Sequence, residues 1–158
     1  MKDYKLPEDF APQTQSTNRS CLAAVMAMTV GETESYVLDW FGNAGVYPPF
    51  YDEDAFIFFA HHGIYPTLGY RLELGHGEFS EELFLKATLN LVGRPAYLVV
   101  EIQGGRYHAI FWDGYRVHDP KNPEEFSLKQ YNVTMVYFFM QTDKRREFFR
   151  NRWRKRDE

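Results

Sequence analysis

A chain of 158 residues with 44% apolar and 18% aromatic side chains suits one domain with a real core and is too apolar for a disordered one. Its net charge of −4 argues against an overall nucleic-acid binder, and its single cysteine excludes an internal disulfide and a Cys-cluster zinc. The charge is polarised: eight Lys/Arg and four acids give residues 143–158 a balance of +4, which leaves −8 on the rest.

The first twenty residues are polar, carry two prolines and read as an extended lead-in without a secretory h-region. No run approaches the roughly 20 apolar residues of a membrane helix, so a reducing, cytoplasmic setting is expected, in which a free thiol survives. A helix is predicted from Ser20 or Cys21 to Gly31; Leu22 to Met28 are apolar on nearly every side, as in a buried helix. Glu34–Phe41 predicts a second, short helix. Acids at Asp52, Glu53 and Asp54 open a third, which Gly63 ends. Ser80-Glu81-Glu82 opens another, running through Asn90 to Gly93, with Leu83, Phe84, Ala87 and Leu91 at helical spacing.

The second half changes character. Ala96–Ile102 is a buried-strand run, Gly104-Gly105 a hairpin turn and Tyr107–Trp112 the returning strand. Asp113-Gly114 turns into Tyr115–His118, and Asn132–Met140 is a last strand. The expected fold class is α+β, a helical N-terminal half packed on a C-terminal antiparallel sheet. Residues 1–142 form the domain, and 143–158 are a basic helical tail.

Cys21 stands where the buried helix begins, and a helix N-terminus with a neighbouring base is what turns a thiol into a thiolate nucleophile. His108 follows the Gly-Gly turn, on one strand face with Ile110 and Trp112, and is placed to meet the helix across the sheet. Antiparallel pairing across the Asp-Gly turn brings Asp119 back beside His108, where it would orient the imidazole. Six residues before the cysteine, the Gln15 amide is placed to donate to an oxyanion beside the Cys21 N–H; Gln13 competes for that role, and only spacing favours Gln15. Taken singly, a cysteine is more often a buried small hydrophobe and an Asp-Pro more often turn chemistry; the ordered set is what points to catalysis.

The stretch Gln15-Ser-Thr-Asn-Arg-Ser-Cys21-Leu-Ala-Ala-Val-Met-Ala-Met resembles the opening of the papain-like cysteine peptidases, above all the bacterial peptidase C39-like family. The later His108-Ala-Ile-Phe-Trp-Asp-Gly-Tyr-Arg-Val-His-Asp119-Pro120 resembles that family's His-bearing strand, turn, and strand ending in Asp-Pro. Many members have Asp and Gly around the cysteine, where this chain has Ser20 and Leu22. The resemblance covers residues 10–141 and implies a papain-like fold without metal or cofactor. It makes Cys21 the nucleophile, His108 the general base and acid, Asp119 the orienting residue and Gln15 the oxyanion donor. The implied activity is that of a thiol hydrolase, a peptidase or amidase on a peptide or protein. An acyltransferase on the same site stays open, as does a catalytically inactive binding protein acting through its cleft or tail.

Three features lie outside that set. His61-His62, with His76, Asp52 and Asp54, do not read as a metal site, because adjacent helical residues point about 100° apart; the pair could line a cleft. Tyr47-Pro48-Pro49-Phe50-Tyr51 either borders a substrate groove or covers the core. The Lys144–Arg156 tail, with Phe148, Phe149 and Trp153, has a composition suited to nucleic acid or an acidic partner, but reads more simply as a helix docked on the body.

Overall fold

The structure, a computed structural model, describes residues 2–71, 86 and 88–142. Of the helix expected from Ser80, residues 86 and 88–92 are described and helical; the rest of it, His76 and the tail after residue 142 lie outside the described residues. The chain is α+β. In order come β1 (Lys2–Asp3), α1 (Cys21–Val30), α2 (Glu34–Gly42), α3 (Asp52–His61), β2 (Ile64–Arg71), β3 (Ala96–Ile102), β4 (Arg106–Trp112), β5 (Val117–His118) and β6 (Asn132–Gln141).

All described strand pairings are antiparallel, in the order β1-β6-β3-β4-β5 with β2 on the other side of β6. The sheet therefore recruits two strands from the N-terminal half, which the division into a helical half and a sheet half did not anticipate. β2 escaped the sequence reading because Pro66 demotes a strand signal. Proline costs little there, since among the described residues β2 pairs only with β6 and Pro66 needs no outward donor. A bulge between Leu68 and Tyr70 bends β2, and Gly69 makes room for it: a Cβ at Gly69 would lie 2.6 Å from the Phe138 ring.

Strand alternation gives the sheet two apolar faces. Tyr97, Val99, Ala109, Phe111, Tyr137 and Phe139 face the helices, whereas Leu98, Val100, Ile110, Trp112, Val133 and Val136 form a second cluster with Leu89 and Leu128. α1 is enclosed on all sides, Leu22 to Thr29 being buried against β4, α2 and α3. Each large side chain so buried contributes about 1.5–3 kcal/mol. Gly31 ends α1 in a left-handed conformation, φ +76°, with Asp9 and Pro7 of the lead-in folded over it where a Cβ would stand. The lead-in is tied down rather than loose: the Tyr4 hydroxyl donates to the Thr29 carbonyl at 2.7 Å, and Phe10 stacks on Phe111. Among the described residues no helix is long and apolar enough to cross a membrane.

Candidate active site

Cys21 is the first residue of α1. Ser20, the N-cap, does not cap it: its hydroxyl lies 3.1 Å from Glu34 Oε2 and makes no bond to the first turn. A capping side chain would engage an N–H of that turn. With Ser20 turned away, the Leu22 N–H is free to face the Cys21 sulfur, which it does.

His108 reaches the same sulfur by a route that strand alternation alone does not reveal. It pairs with Val100 and shares the face away from α1, so it does not look straight across the sheet at the helix. The meeting happens at an open edge. In β4 the odd residues turn their backbone groups outward to β5: Asp113 N–H donates to Arg116 O, and Phe111 pairs with His118. β5 is only two residues long, so among the described residues no strand pairs with Ala109 on that side, and its N–H helps to lower the Cys21 pKa. Around this free edge the imidazole and the thiol come together.

The His108 ring is shared between two partners. Nε2 lies 2.6 Å from Asp119 Oδ1, and since a carboxylate only accepts, Nε2 carries a proton and Nδ1 is left for Cys21. Asp119 is itself fixed by three donors: His108, the Lys121 N–H at 2.9 Å on the same oxygen, and the Tyr131 hydroxyl at 2.7 Å on Oδ2. The Lys121 bond is the turn chemistry expected of Asp-Pro; here the carboxylate closes a turn and holds a histidine at once. Nothing in the sequence marks Tyr131, which follows the short turn Leu128–Gln130 and reaches Asp119 from just before β6.

The electrostatics favour a charged pair. Burial pushes the Cys21 thiol up, but His108 and the Ala109 and Leu22 N–H groups outweigh it, and the thiol sits below its ordinary pKa. Burial pulls His108 down, yet Asp119 first and then Cys21 raise the imidazole to about 9. Burial would also raise Asp119, but its donors hold it below the usual carboxylate range. Cys21 therefore ionises more readily than an ordinary thiol, and His108 holds its proton up to about 9 beside the Asp119 carboxylate. Below them Tyr97 donates to Asp52 Oδ1 at 2.6 Å; burial and then this carboxylate push its phenol well above the ordinary value, so it stays neutral.

Gln15 and Gln13 separate cleanly. Gln13 Oε1 accepts the Glu34 N–H at 3.1 Å and its Nε2 donates to Ala11 O, so it caps α2. Gln15 is held at the acid's corner by its own N–H, which donates to Pro120 O at 3.0 Å. One of its amide hydrogens goes to Thr17 O at 2.8 Å, leaving the second uncommitted. No described hydrogen bond joins Gln15 to Cys21 as the site now stands. Glu34, which the sequence offers only as an acid at a helix start, is buried and holds the segment between Gln15 and Cys21.

Two clefts flank that segment. One of about 520 Å³ lies between Thr14–Asn18 and Pro120-Lys121. The other, of about 420 Å³, is lined by Thr17, Ser20, Leu38, Asp39, Tyr47 and Pro48 among others. The aromatic loop thus does both things considered for it: Phe50 is buried on Phe41, and exposed Tyr47 borders a groove. His61 and His62 sit in an aromatic cluster with Trp40, Tyr36 and Phe58 and line neither cleft. Compared with known proteins, the chain matches no family model, no curated protein and no solved structure.

Proposed function

We propose that the chain is a cysteine hydrolase of the papain-like type, cleaving a C–N amide bond of a peptide through a thioester acyl-enzyme. One observation carries the reading: a buried imidazole lies 2.6 Å from a carboxylate and lowers the pKa of a thiol at a helix N-terminus, while its own rises to about 9. The papain-like assignment draws support from order and placement. A nucleophile begins the helix packed on an antiparallel sheet, and successive strands of that sheet deliver the histidine and then the acid.

The Cys21 thiolate attacks the carbonyl carbon, forming a C–S bond and a tetrahedral oxyanion. The second amide N–H of Gln15 and the Cys21 N–H are the donors to that oxygen. The imidazolium gives its Nδ1 proton to the leaving nitrogen as the C–N bond breaks, and the thioester remains. Neutral His108 then takes a proton from water as the water oxygen attacks the thioester. The C–S bond breaks, the acid product leaves, and the thiolate–imidazolium pair is restored. Asp119 touches no reacting atom; it keeps Nε2 engaged so that Nδ1 faces the sulfur.

The test is the pH dependence of iodoacetamide alkylation in wild type and His108→Ala. The wild-type thiol reacts as a thiolate well below the reference of about 8.5. In the variant it returns toward that value, and the rate at pH 6 falls by roughly 10²-fold. An ordinary thiol indifferent to His108 overturns the proposal and leaves a cleft that binds without turnover.

A further inference from the structure

We propose that Glu34 is a positioning residue that holds Gln15 in register with the nucleophile, an inference that rests on the hydrolase reading above. Glu34 lies in the first turn of α2, only 7% exposed, outside the Cys21–His108–Asp119 line. Its carboxylate accepts the Ser16 N–H at 2.9 and 3.2 Å and lies 3.1 Å from the Ser20 hydroxyl. Its backbone N–H donates to Gln13 Oε1 at 3.1 Å. One residue therefore grips the strap on both sides of Gln15, at 13 and 16, and again at the residue before Cys21.

The fourth tie is the Gln15 N–H on Pro120 O, which anchors the same point to the corner that carries Asp119. Gln15 is thus bracketed between the helix-start acid and the orienting acid's turn. Among the described residues Glu34 forms no ion pair, so the Ser16 N–H and the Ser20 hydroxyl are the donors that offset its burial. An oxyanion donor works only if held within a fraction of an ångström, and a surface strap of turns does not hold itself that well. The buried carboxylate supplies the rigidity. It also draws the Ser20 hydroxyl away from α1, which leaves the helix N-terminal N–H groups open.

Two reactions of the same sulfur separate this role from general support of the fold. Alkylation by iodoacetamide forms a C–S bond as iodide leaves and passes through no oxyanion. Acylation by p-nitrophenyl acetate forms a C–S bond through a tetrahedral oxyanion and expels p-nitrophenolate. In Glu34→Gln the new amide N–H₂ must face one of the two donors and loosens the strap; Gln13→Ala loosens it from the other end. Both variants should lower acylation about tenfold or more, approaching the loss of an oxyanion donor, with alkylation at neutral pH within about threefold. On a Gln15→Ala background, Glu34→Gln should add nothing further, since both act through one amide. Parallel losses in both reactions would show Glu34 to be merely structural and overturn the proposal. Acylation unchanged in an active protein overturns the positioning role alone. A wild type that alkylates as a thiolate but is not acylated overturns this role and the hydrolase reading together.

Discussion

His108 meets Asp119 at 2.6 Å and His118 meets Asp113 at 2.7 Å, so by distance the two pairs are alike, and all four side chains are largely buried. The other side of each ring separates them. His108 turns its free nitrogen to a thiol at a helix N-terminus. His118 is packed edge-on to Phe10 and tilted against Phe111, with no nucleophile beside it among the described residues. Asp113 spends its second oxygen on the Tyr115 and Arg116 N–H groups, both at 2.7 Å, which closes the Asp-Gly turn. The second pair is a clasp on a hairpin. A short His–carboxylate contact therefore says little about chemistry until its surroundings are known.

The largest expected contrast comes from removing each ring. His108→Ala eliminates the general base and acid and should lower acyl-enzyme turnover by about 10²–10⁴-fold, whereas His118→Ala should stay within about threefold and instead lose about 1–3 kcal/mol in urea unfolding. The wild-type profile sharpens the same point. Its acid limb lies below the ordinary thiol pKa, where Cys21 ionises, and its alkaline limb lies near 9, where His108 gives up the proton the leaving amine needs. A wild-type alkaline limb unchanged in position by Asp119→Asn would break the assignment.

The acids give the next contrast. Asp119→Asn should slow turnover roughly tenfold, because an Asn carbonyl still accepts from the imidazolium, and should move the alkaline limb below 9 as the stabilising anion is lost. Asp113→Asn should leave the rate within about twofold and cost about 1–2 kcal/mol of stability. Its pH signature is distinct. Burial would raise Asp113, but His118 and the turn N–H groups lower it, so its contribution is present above the ordinary carboxylate range and fades as pH falls through the lowered value. The variant's stability should be flatter with pH below about 4, measured as urea midpoints. Smallest is Tyr131→Phe, which removes the hydroxyl on Asp119 Oδ2 and should slow turnover about two- to fivefold; full activity would reduce Tyr131 to packing.

Much of this arrangement was legible before folding. α1, α2, α3, β3, β4 and β6 begin and end within a residue or two of their expected limits. The reason is local: Gly31 can turn left-handed, Asp52 to Asp54 suit a helix start, and Gly104-Gly105 turns a hairpin wherever it is placed. β5 is shorter than Tyr115–His118 because Asp113 draws the Tyr115 and Arg116 N–H groups into its turn. β2 stayed hidden because Pro66 and Gly69 weaken the local signal for a strand stabilised by β6, far along the chain.

Cys21, His108, Asp119 and Gln15 could be named from residue type, spacing and neighbouring turns, because periodicity and turn chemistry are properties of short segments. Between Gln13 and Gln15 only spacing favoured the latter; that the Glu34 N–H engages Gln13 appears only in the folded chain. Nor could it show that His108 reaches the thiol around a strand edge, since that edge is open only where β5 stops. Glu34 beneath the strap and Tyr131 on the acid were likewise decided by tertiary structure. Each depends on which distant backbone groups remain unpaired after the sheet forms, and that is a property of the assembled fold rather than of any short stretch of chain.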